Sequence, residues 1–176
     1  MAFELQFLGA TERVTGSLYL LRAGEAQIIL ECGLVQGVPD EEAHNREPLP
    51  FEIDAIDAVV ISHSHIDHSG RVPLLVKRGY RGPVYVQRAT RALAGIMLPD
   101  SGYLNEKDAE WENRRRDRAG KKRIEPTFTI EDVETPQQLV QIREVIAAYP
   151  LLQGHGENVT MTHQWWRLGA CLGFGA

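Results

Sequence analysis

Apolar and polar residues alternate through the first 30 positions in the manner of β-strands. Residues 3–8 alternate, and residues 17–21 and 27–30 repeat the pattern on either side of a turn at Ala23-Gly24-Glu25. The pattern predicts an N-terminal β-meander. Residues 32–50 are rich in Gly, Pro and acidic side chains and show no period, so they predict a surface loop.

The pattern then changes to a strand, a helix and a strand. Residues 56–61 form a short β-branched run of the kind that is buried in a sheet covered on both faces. Residues 69–78, ended by Gly79, predict a helix, and residues 82–87 predict the next strand. Ligands of such βαβ units gather beyond the carboxyl ends of the strands, so a functional site is expected after residue 61.

The remaining elements are less regular. Residues 90–98 and 105–118 predict two helices, with Trp111 expected in the core. A further helix is predicted to open at Thr135, where Gln138 completes a capping-box pattern ahead of an apolar face. That face consists of Leu139, Ile142, Val145 and Ile146. The glycine-rich residues 153–176 predict no stable element.

Composition limits the class of protein. With 176 residues and 43% hydrophobic content, the chain can bury one substantial core, so we expect one α/β domain over residues 1–150 and an atypical tail over residues 151–176. Cys32 and Cys171 are too few for a disulfide framework and are expected to be inert. No run resembles a membrane span or a signal peptide, which predicts a cytoplasmic protein.

The residues that can carry chemistry follow directly after the buried run, as His63-Ser64-His65-Ile66-Asp67-His68. In extended backbone, residues two apart point to the same side, so His63 and His65 can converge on one metal ion while Asp67 and His68 face a second. Imidazole nitrogen and carboxylate oxygen are ligands that zinc accepts at about 2.0–2.2 Å. The segment predicts a two-zinc hydrolase in which Asp67 also orients the attacking water.

Several alternatives remain open from the residues alone. The segment can instead cap a strand and begin a helix, with Asp67 or Ser69 as the N-cap. His44 is expected on the surface, whereas His155 and His163 are candidates for additional ligands. A basic run can follow a phosphate backbone or form a solvated helix end, given a net charge of −5 for the chain. The run consists of Arg114, Arg115, Arg116, Arg118, Lys121, Lys122 and Arg123.

His-Ser-His-Ile-Asp-His resembles the H-x-H-x-D-H signature of the metallo-β-lactamase superfamily. The segments 7–17 (FLGATERVTGS), 32–37 (CGLVQG) and 97–103 (MLPDSGY) look like those of the β-CASP RNA-processing nucleases, and the likeness runs over residues 3–148. The resemblance implies an αββα sandwich, of which this chain holds the N-terminal half. It also implies two zinc ions and RNA cleavage, with His63, His65, Asp67 and His68 as ligands. Glu31, which would orient a histidine, stands where the family usually has Asp.

The family's later histidine and aspartate motifs do not appear before residue 176, so we expect a truncated or frame-shifted chain, or else a purposeful short form. The leading hypothesis is a ribonuclease, and two alternatives, activity and inactivity of this chain alone, stay open. A thioester or lactone hydrolase with the same centre is a second hypothesis. A non-catalytic fragment that binds RNA or a partner is a third. An incomplete sheet would also expose an edge, which can pair with a second copy or another chain.

Overall fold

The computed structural model describes residues 3–39, 41–133 and 142–144. The chain divides after Glu144 into two units, and every described residue belongs to the first. The strands are β1 (Phe3–Phe7), β2 (Leu18–Ala23), β3 (Ala26–Cys32), β4 (Ala58–Ile61), β5 (Val84–Val86) and β6 (Ile142–Glu144). The helices are α1 (Glu41–Arg46), α2 (Ile66–Ser69), α3 (Val72–Lys77) and α4 (Arg88–Arg118), with a 3-10 turn at Ile53–Ala55.

The six strands form one mixed sheet in chain order, β1-β2-β3-β4-β5-β6. Strands β1, β2 and β3 are antiparallel, which confirms the predicted meander. Strands β3 to β6 are parallel, and α2 and α3 connect β4 to β5 as the predicted βαβ unit. The carboxyl ends of β3 and β4 therefore lie side by side, and the histidine segment begins just after the carboxyl end of β4.

One face of the sheet carries the main core. Alternate strand residues such as Leu20, Ile29 and Val59 are fully buried and pack with Leu75 and Val76 of α3. All four residues of β4 are buried, as predicted for a strand covered on both faces. At the edge of the sheet, every residue of β1 is exposed, including the apolar Phe3, Leu5 and Phe7.

The segment 32–50 is not simply a surface loop, and that prediction is wrong. It contains α1 and buries Leu34, Val35 and Leu49. Asn45, itself buried, accepts a hydrogen bond from the Val35 backbone nitrogen and donates one to the Val35 oxygen, both at 2.8 Å. A polar side chain thus satisfies a buried backbone without any hydrophobic period that the sequence could reveal.

The helix predicted over residues 69–78 is present as α3 (Val72–Lys77), and the separate short helix α2 (Ile66–Ser69) precedes it. The Asp67 oxygen, which a continuous helix would pair with the Arg71 nitrogen, instead accepts from Ser17 at 3.0 Å. The Arg71 nitrogen donates to the Cys32 oxygen at 2.8 Å. The end of β3 thereby interrupts the helix and holds α2 against the sheet.

Conversely, the two helices predicted over residues 90–118 are one helix of 31 residues with Pro99 inside it. Proline removes one helical hydrogen bond, which is why the sequence indicated a break. Packing overrides this effect, because Ser101 and Gly102 are buried and a Cβ atom at Gly102 would lie 3.0 Å from the Ile130 nitrogen. No helix in the described part of the chain has the length and apolar character of a membrane span.

Two further predictions fail, and three lie outside the described residues. Ile142 was expected in a helix, but Ile142–Glu144 is a strand because it pairs in parallel with β5. Trp111 was expected in the core, but it is 61% exposed on α4. The helix start at Thr135, the tail beyond residue 150 and the domain boundary there lie outside the described residues and stay predictions.

Candidate metal centre

The histidine segment is held in place by backbone contacts to the end of β3. The Ile66 oxygen accepts from Leu34 at 2.9 Å, and Gly33 donates to the Ser17 oxygen at the same distance. A Cβ atom at Gly33 would overlap the backbone carbonyl of Asp67 and lie 2.7 Å from the His68 nitrogen. Only glycine allows the two segments to approach so closely.

Glu31 enters the site through a β-bulge. The register of β2 with β3 shifts between Leu18 and Tyr19, so that Glu31 has no partner across the ladder. Its φ of 61° lies in the left-handed region, which non-glycine residues rarely adopt. Bulges re-aim side chains beside functional sites, and this one directs a buried carboxylate toward the end of β4.

The three predicted histidine ligands lie together. The ring centroids of His63 and His65 are 4.6 Å apart, and those of His63 and His68 are 4.2 Å apart. The Asp67 Oδ2 atom lies 3.6 Å from Nε2 of His68. The structure therefore brings all four predicted ligands into one cluster at the edge of the sheet.

The N-cap alternative is not what the structure shows. His65 occupies the N-cap position of α2 without a side-chain capping bond, and Asp67 lies inside that helix. The Ser69 hydroxyl donates back to the oxygens of Ser64 and His65, both at 3.0 Å. The Asp67 carboxylate therefore does not cap the helix.

Neighbouring polar groups orient the rings. The Ser62 hydroxyl shares a hydrogen bond of 2.9 Å with Nδ1 of His63, and the Ser62 nitrogen donates to Glu31 Oε1 at 3.1 Å. Nδ1 of His68 is 3.4 Å from Glu31 Oε2, at ion-pair distance. That nitrogen is nonetheless buried without a hydrogen-bond partner, since the alignment of a hydrogen bond is not met. Glu31 thus faces the ring of His68.

Burial and mutual repulsion act on the charges of the cluster. Burial lowers the pKa of His63, and the neighbouring His68 and His65 lower it further. Burial raises the pKa of Glu31, although the hydrogen bond from Ser62 and the charge of His68 act in the opposite direction. A neutral His63 is the form that can bind a metal ion.

The donor set suits zinc in kind, since it offers three imidazoles and one carboxylate within six residues. Nδ1 of His68 faces the Glu31 carboxylate, so Nε2 of that ring is the nitrogen left for a bound ion. In the described residues, however, no group of three or more His, Cys, Asp or Glu side chains is arranged to hold a metal ion. The ligand set therefore stays a prediction.

Sequence reasoning missed the residues that support the cluster. Ser62 orients His63, Gly33 admits the Asp67 backbone, and buried Arg71 donates from Nε to the Gly33 oxygen at 2.7 Å. Gly33 lies in the Cys-Gly segment that carried the resemblance, and this segment was the feature of the sequence that could have identified it. Nothing in the sequence pattern distinguished Ser62 or Arg71.

The other candidate residues lie apart from the cluster or outside the described residues. His44 pairs with Glu47 at 3.2 Å on α1, and His155 and His163 are not described. The basic residues occupy the last turns of α4 and the segment after it, where all are exposed except half-buried Arg116. Their contact with nucleic acid stays a prediction.

Comparison with known proteins decides the family. The model of the metallo-β-lactamase superfamily matches residues 11–169, which is most of the chain. The chain belongs to the metallo-β-lactamase superfamily. The predicted α/β class is thereby confirmed, and the one described sheet with its helices corresponds to half of the superfamily's αββα sandwich.

Relatives of this member of the superfamily include Ribonuclease TTHA0252 of Thermus thermophilus, which is 50% identical over 53% of this chain and 21% of the relative. Transcription termination factor FttA of Methanococcus maripaludis is 37% identical over 59% of this chain and 16% of the relative. Cleavage and polyadenylation specificity factor subunit 3-II of Arabidopsis thaliana is 33% identical over 57% and 17%. The resemblance to β-CASP proteins is confirmed, and the chain spans about a fifth of the length of these relatives.

Proposed function

We propose that this chain carries part of a zinc-dependent phosphodiesterase that cleaves RNA. The observation that supports the proposal most directly is the clustering of His63, His65, Asp67 and His68 beside Glu31 at the carboxyl ends of β3 and β4. Relatives named as a ribonuclease and a polyadenylation factor subunit supply the class of substrate. The acyl-hydrolase and binding-fragment hypotheses are not favoured by these names.

In the proposed site, His63, His65, Asp67 and His68 would hold two zinc ions. Zinc bound there supplies electrophilic activation of water and of a phosphoryl oxygen. The protein's own groups fix the arrangement: Ser62 holds Nδ1 of His63, which leaves Nε2 to ligate. Glu31 faces Nδ1 of His68 and would fix that ring in the same way. Asp67 accepts a hydrogen bond from the attacking water and so sets its direction.

The test is zinc stoichiometry and RNA cleavage by the full chain. We expect about two zinc ions per chain by elemental mass spectrometry, and loss of both zinc and cleavage in the double variant His63→Ala/His65→Ala. His44→Ala is the matched control, because it removes an imidazole on α1 that pairs with Glu47, away from the histidine segment. The control should keep both properties.

The result that contradicts the proposal is equally specific. If the double variant keeps the zinc content of the wild type, these histidines are not the ligands. If zinc is bound but RNA is left intact while acyl esters are hydrolysed, the phosphodiesterase assignment fails and the acyl-hydrolase hypothesis takes its place.

A further inference from the structure

The C-terminal half of α4 carries a ridge of alternating aromatic and basic side chains. Tyr103, Lys107, Trp111 and Arg115 stand four residues apart, and side chains at this spacing are neighbours on one helix face. Tyr103 is 47% exposed and Trp111 is 61% exposed. We call these four residues the α4 ridge.

Each aromatic ring of the α4 ridge is paired with the next cation along it. Nζ of Lys107 lies 5.6 Å from the centroid of the Tyr103 ring, and Cζ of Arg115 lies 5.0 Å from that of Trp111. The cations also pair with the carboxylates of Glu110 and Glu112. The rings are therefore presented at the surface with cations over them, and a nucleobase can take the place of a cation over such a ring.

Further positive charge flanks the ridge. Arg114 and Arg118 lie three and seven residues after Trp111, so they share its side of the helix, and Lys121 and Lys122 follow the helix end. All four are exposed, and in the described part of the chain none forms an ion pair within 4 Å. In a chain of net charge −5, this is a local basic surface of the kind that follows a phosphate backbone.

The rest of the same helix supplies a contrast. Leu93 and Ile96, in its N-terminal half, are also exposed, but they are aliphatic and cannot offer a π-face. The combination of exposed rings with unpaired cations is confined to the C-terminal half. This charge complementarity favours a polyanion with flat bases over an apolar protein partner.

We propose that the α4 ridge, with Arg114 and Arg118, binds single-stranded RNA. Bases stack on Tyr103 and Trp111, and the flanking arginines pair with phosphates. Unpaired bases are required, because a base inside a duplex already stacks on its neighbours and cannot reach the rings. This inference rests on the proposed RNA substrate, and it assigns to α4 a binding role apart from the metal centre.

The experiment measures binding of a fluorescein-labelled oligouridylate to the full chain by fluorescence anisotropy, with EDTA present so that cleavage plays no part. Trp111→Ala should weaken binding roughly 5- to 150-fold, the range for loss of one stacked base. Trp111→Phe keeps a π-face and should recover most of that loss. Ile96→Ala, an equally exposed apolar truncation on the same helix, should bind as the wild type does.

The arginines are tested by salt dependence. Arg114→Ala/Arg118→Ala should weaken binding and reduce the slope of log K against log salt by about 1.4, since each phosphate contact to a single strand contributes about 0.7. Arg123→Ala is the control of like kind, because Arg123 is already paired with Asp117 at 2.8 Å and lies beyond the helix. It should leave the slope within error of the wild type.

The inference is overturned if Trp111→Ala binds the oligonucleotide as tightly as Ile96→Ala, or if a blunt RNA duplex binds as tightly as the single strand. It is also overturned if Trp111→Ala changes only the oligomeric state in light scattering, which would make the ridge a contact between copies. Because EDTA removes catalysis, loss of zinc or of cleavage in the His63→Ala/His65→Ala variant leaves this test unaffected, so the two proposals fail separately.

Discussion

Gly33 lies so close to the backbone of Asp67 that a methyl group on residue 33 would overlap the Asp67 carbonyl. Gly33→Ala must therefore push α2 away from β3. We expect a loss of about 2–4 kcal/mol in the free energy of unfolding, together with weaker zinc binding. Urea denaturation and zinc titration measure the two effects.

Gly95→Ala is the control for this change, since a Cβ atom there would meet nothing within 4 Å and the residue lies in a helix. We expect it to be neutral or to stabilise the protein by up to about 1 kcal/mol. Equal losses in the two variants would show that Gly33 is not a point of close approach.

Asn45 gives a test of the buried part of the 32–50 segment. Asn45→Ala leaves both the nitrogen and the oxygen of Val35 without their side-chain partner. We expect a loss of about 2–4 kcal/mol by urea denaturation, because each unsatisfied buried group costs about 1–3 kcal/mol. The neighbouring His44→Ala, on the exposed side of α1, should change stability by no more than about 0.5 kcal/mol. A loss as small in Asn45→Ala would mean that the segment is a surface loop after all.

Glu31→Gln separates the charge of this residue from its shape. The amide oxygen can still accept from the Ser62 nitrogen, but the negative charge beside His68 is lost. We expect zinc affinity to fall about 10- to 100-fold, while stability is unchanged or higher because a buried charge is removed. Competition with a zinc chelator measures the first effect and thermal unfolding the second. Unchanged zinc affinity would remove Glu31 from the site.

Asp132 predicts a dependence of stability on acid pH. Burial alone would raise its pKa, but hydrogen bonds from Lys77 and Thr129 hold the pKa below the ordinary value. A carboxylate whose pKa is lower when folded stabilises the protein above its unfolded pKa of about 3.9, and this contribution is lost as the pH falls through the lower folded value. Since Lys77 is partly exposed, we expect about 1 kcal/mol.

The measurement compares urea midpoints of the wild type and Asp132→Asn between about pH 6 and pH 3. The variant should be less stable at the upper end, and the difference should shrink toward the lower end. Lys77→Met should have the same effect, and the double variant should lose less than the sum of the two. A difference that does not change with pH would exclude the ion pair as its cause.

The sequence predicted what depends on local pattern. The meander, the buried β4 run and the position of the histidines after it follow from alternation and β-branched content, and the structure has all three. The four predicted ligands, His63, His65, Asp67 and His68, were found because they lie within six consecutive residues. Glu31 and Gly33, which contact His68 and the Asp67 backbone from the end of β3 and the residue after it, lie more than 30 residues away in the sequence.

What failed depends on contacts between distant segments. The sequence predicted two helices on either side of Pro99, but α4 is continuous because Gly102 is buried against the Ile130 backbone. Arg71 separates α2 from α3 because its backbone nitrogen donates to the Cys32 oxygen instead of to a helical carbonyl. The sequence predicted Trp111 in the core rather than on a base-stacking surface, because no repeated aromatic residues lie near it in the chain. A periodicity cannot report which face of a helix lacks a partner, and this is why the α4 ridge became visible only in three dimensions.

Cys32 offers a built-in reporter for the site. Its side chain is fully buried between Glu31 and Gly33, and burial raises the pKa of the thiol to about 11. A thiol reagent therefore reacts only when the end of β3 opens, so in a Cys171→Ser background the labelling rate of Cys32 measures local opening. Any ligand that holds the histidine segment against β3 would lower this labelling rate, whether or not a reaction takes place.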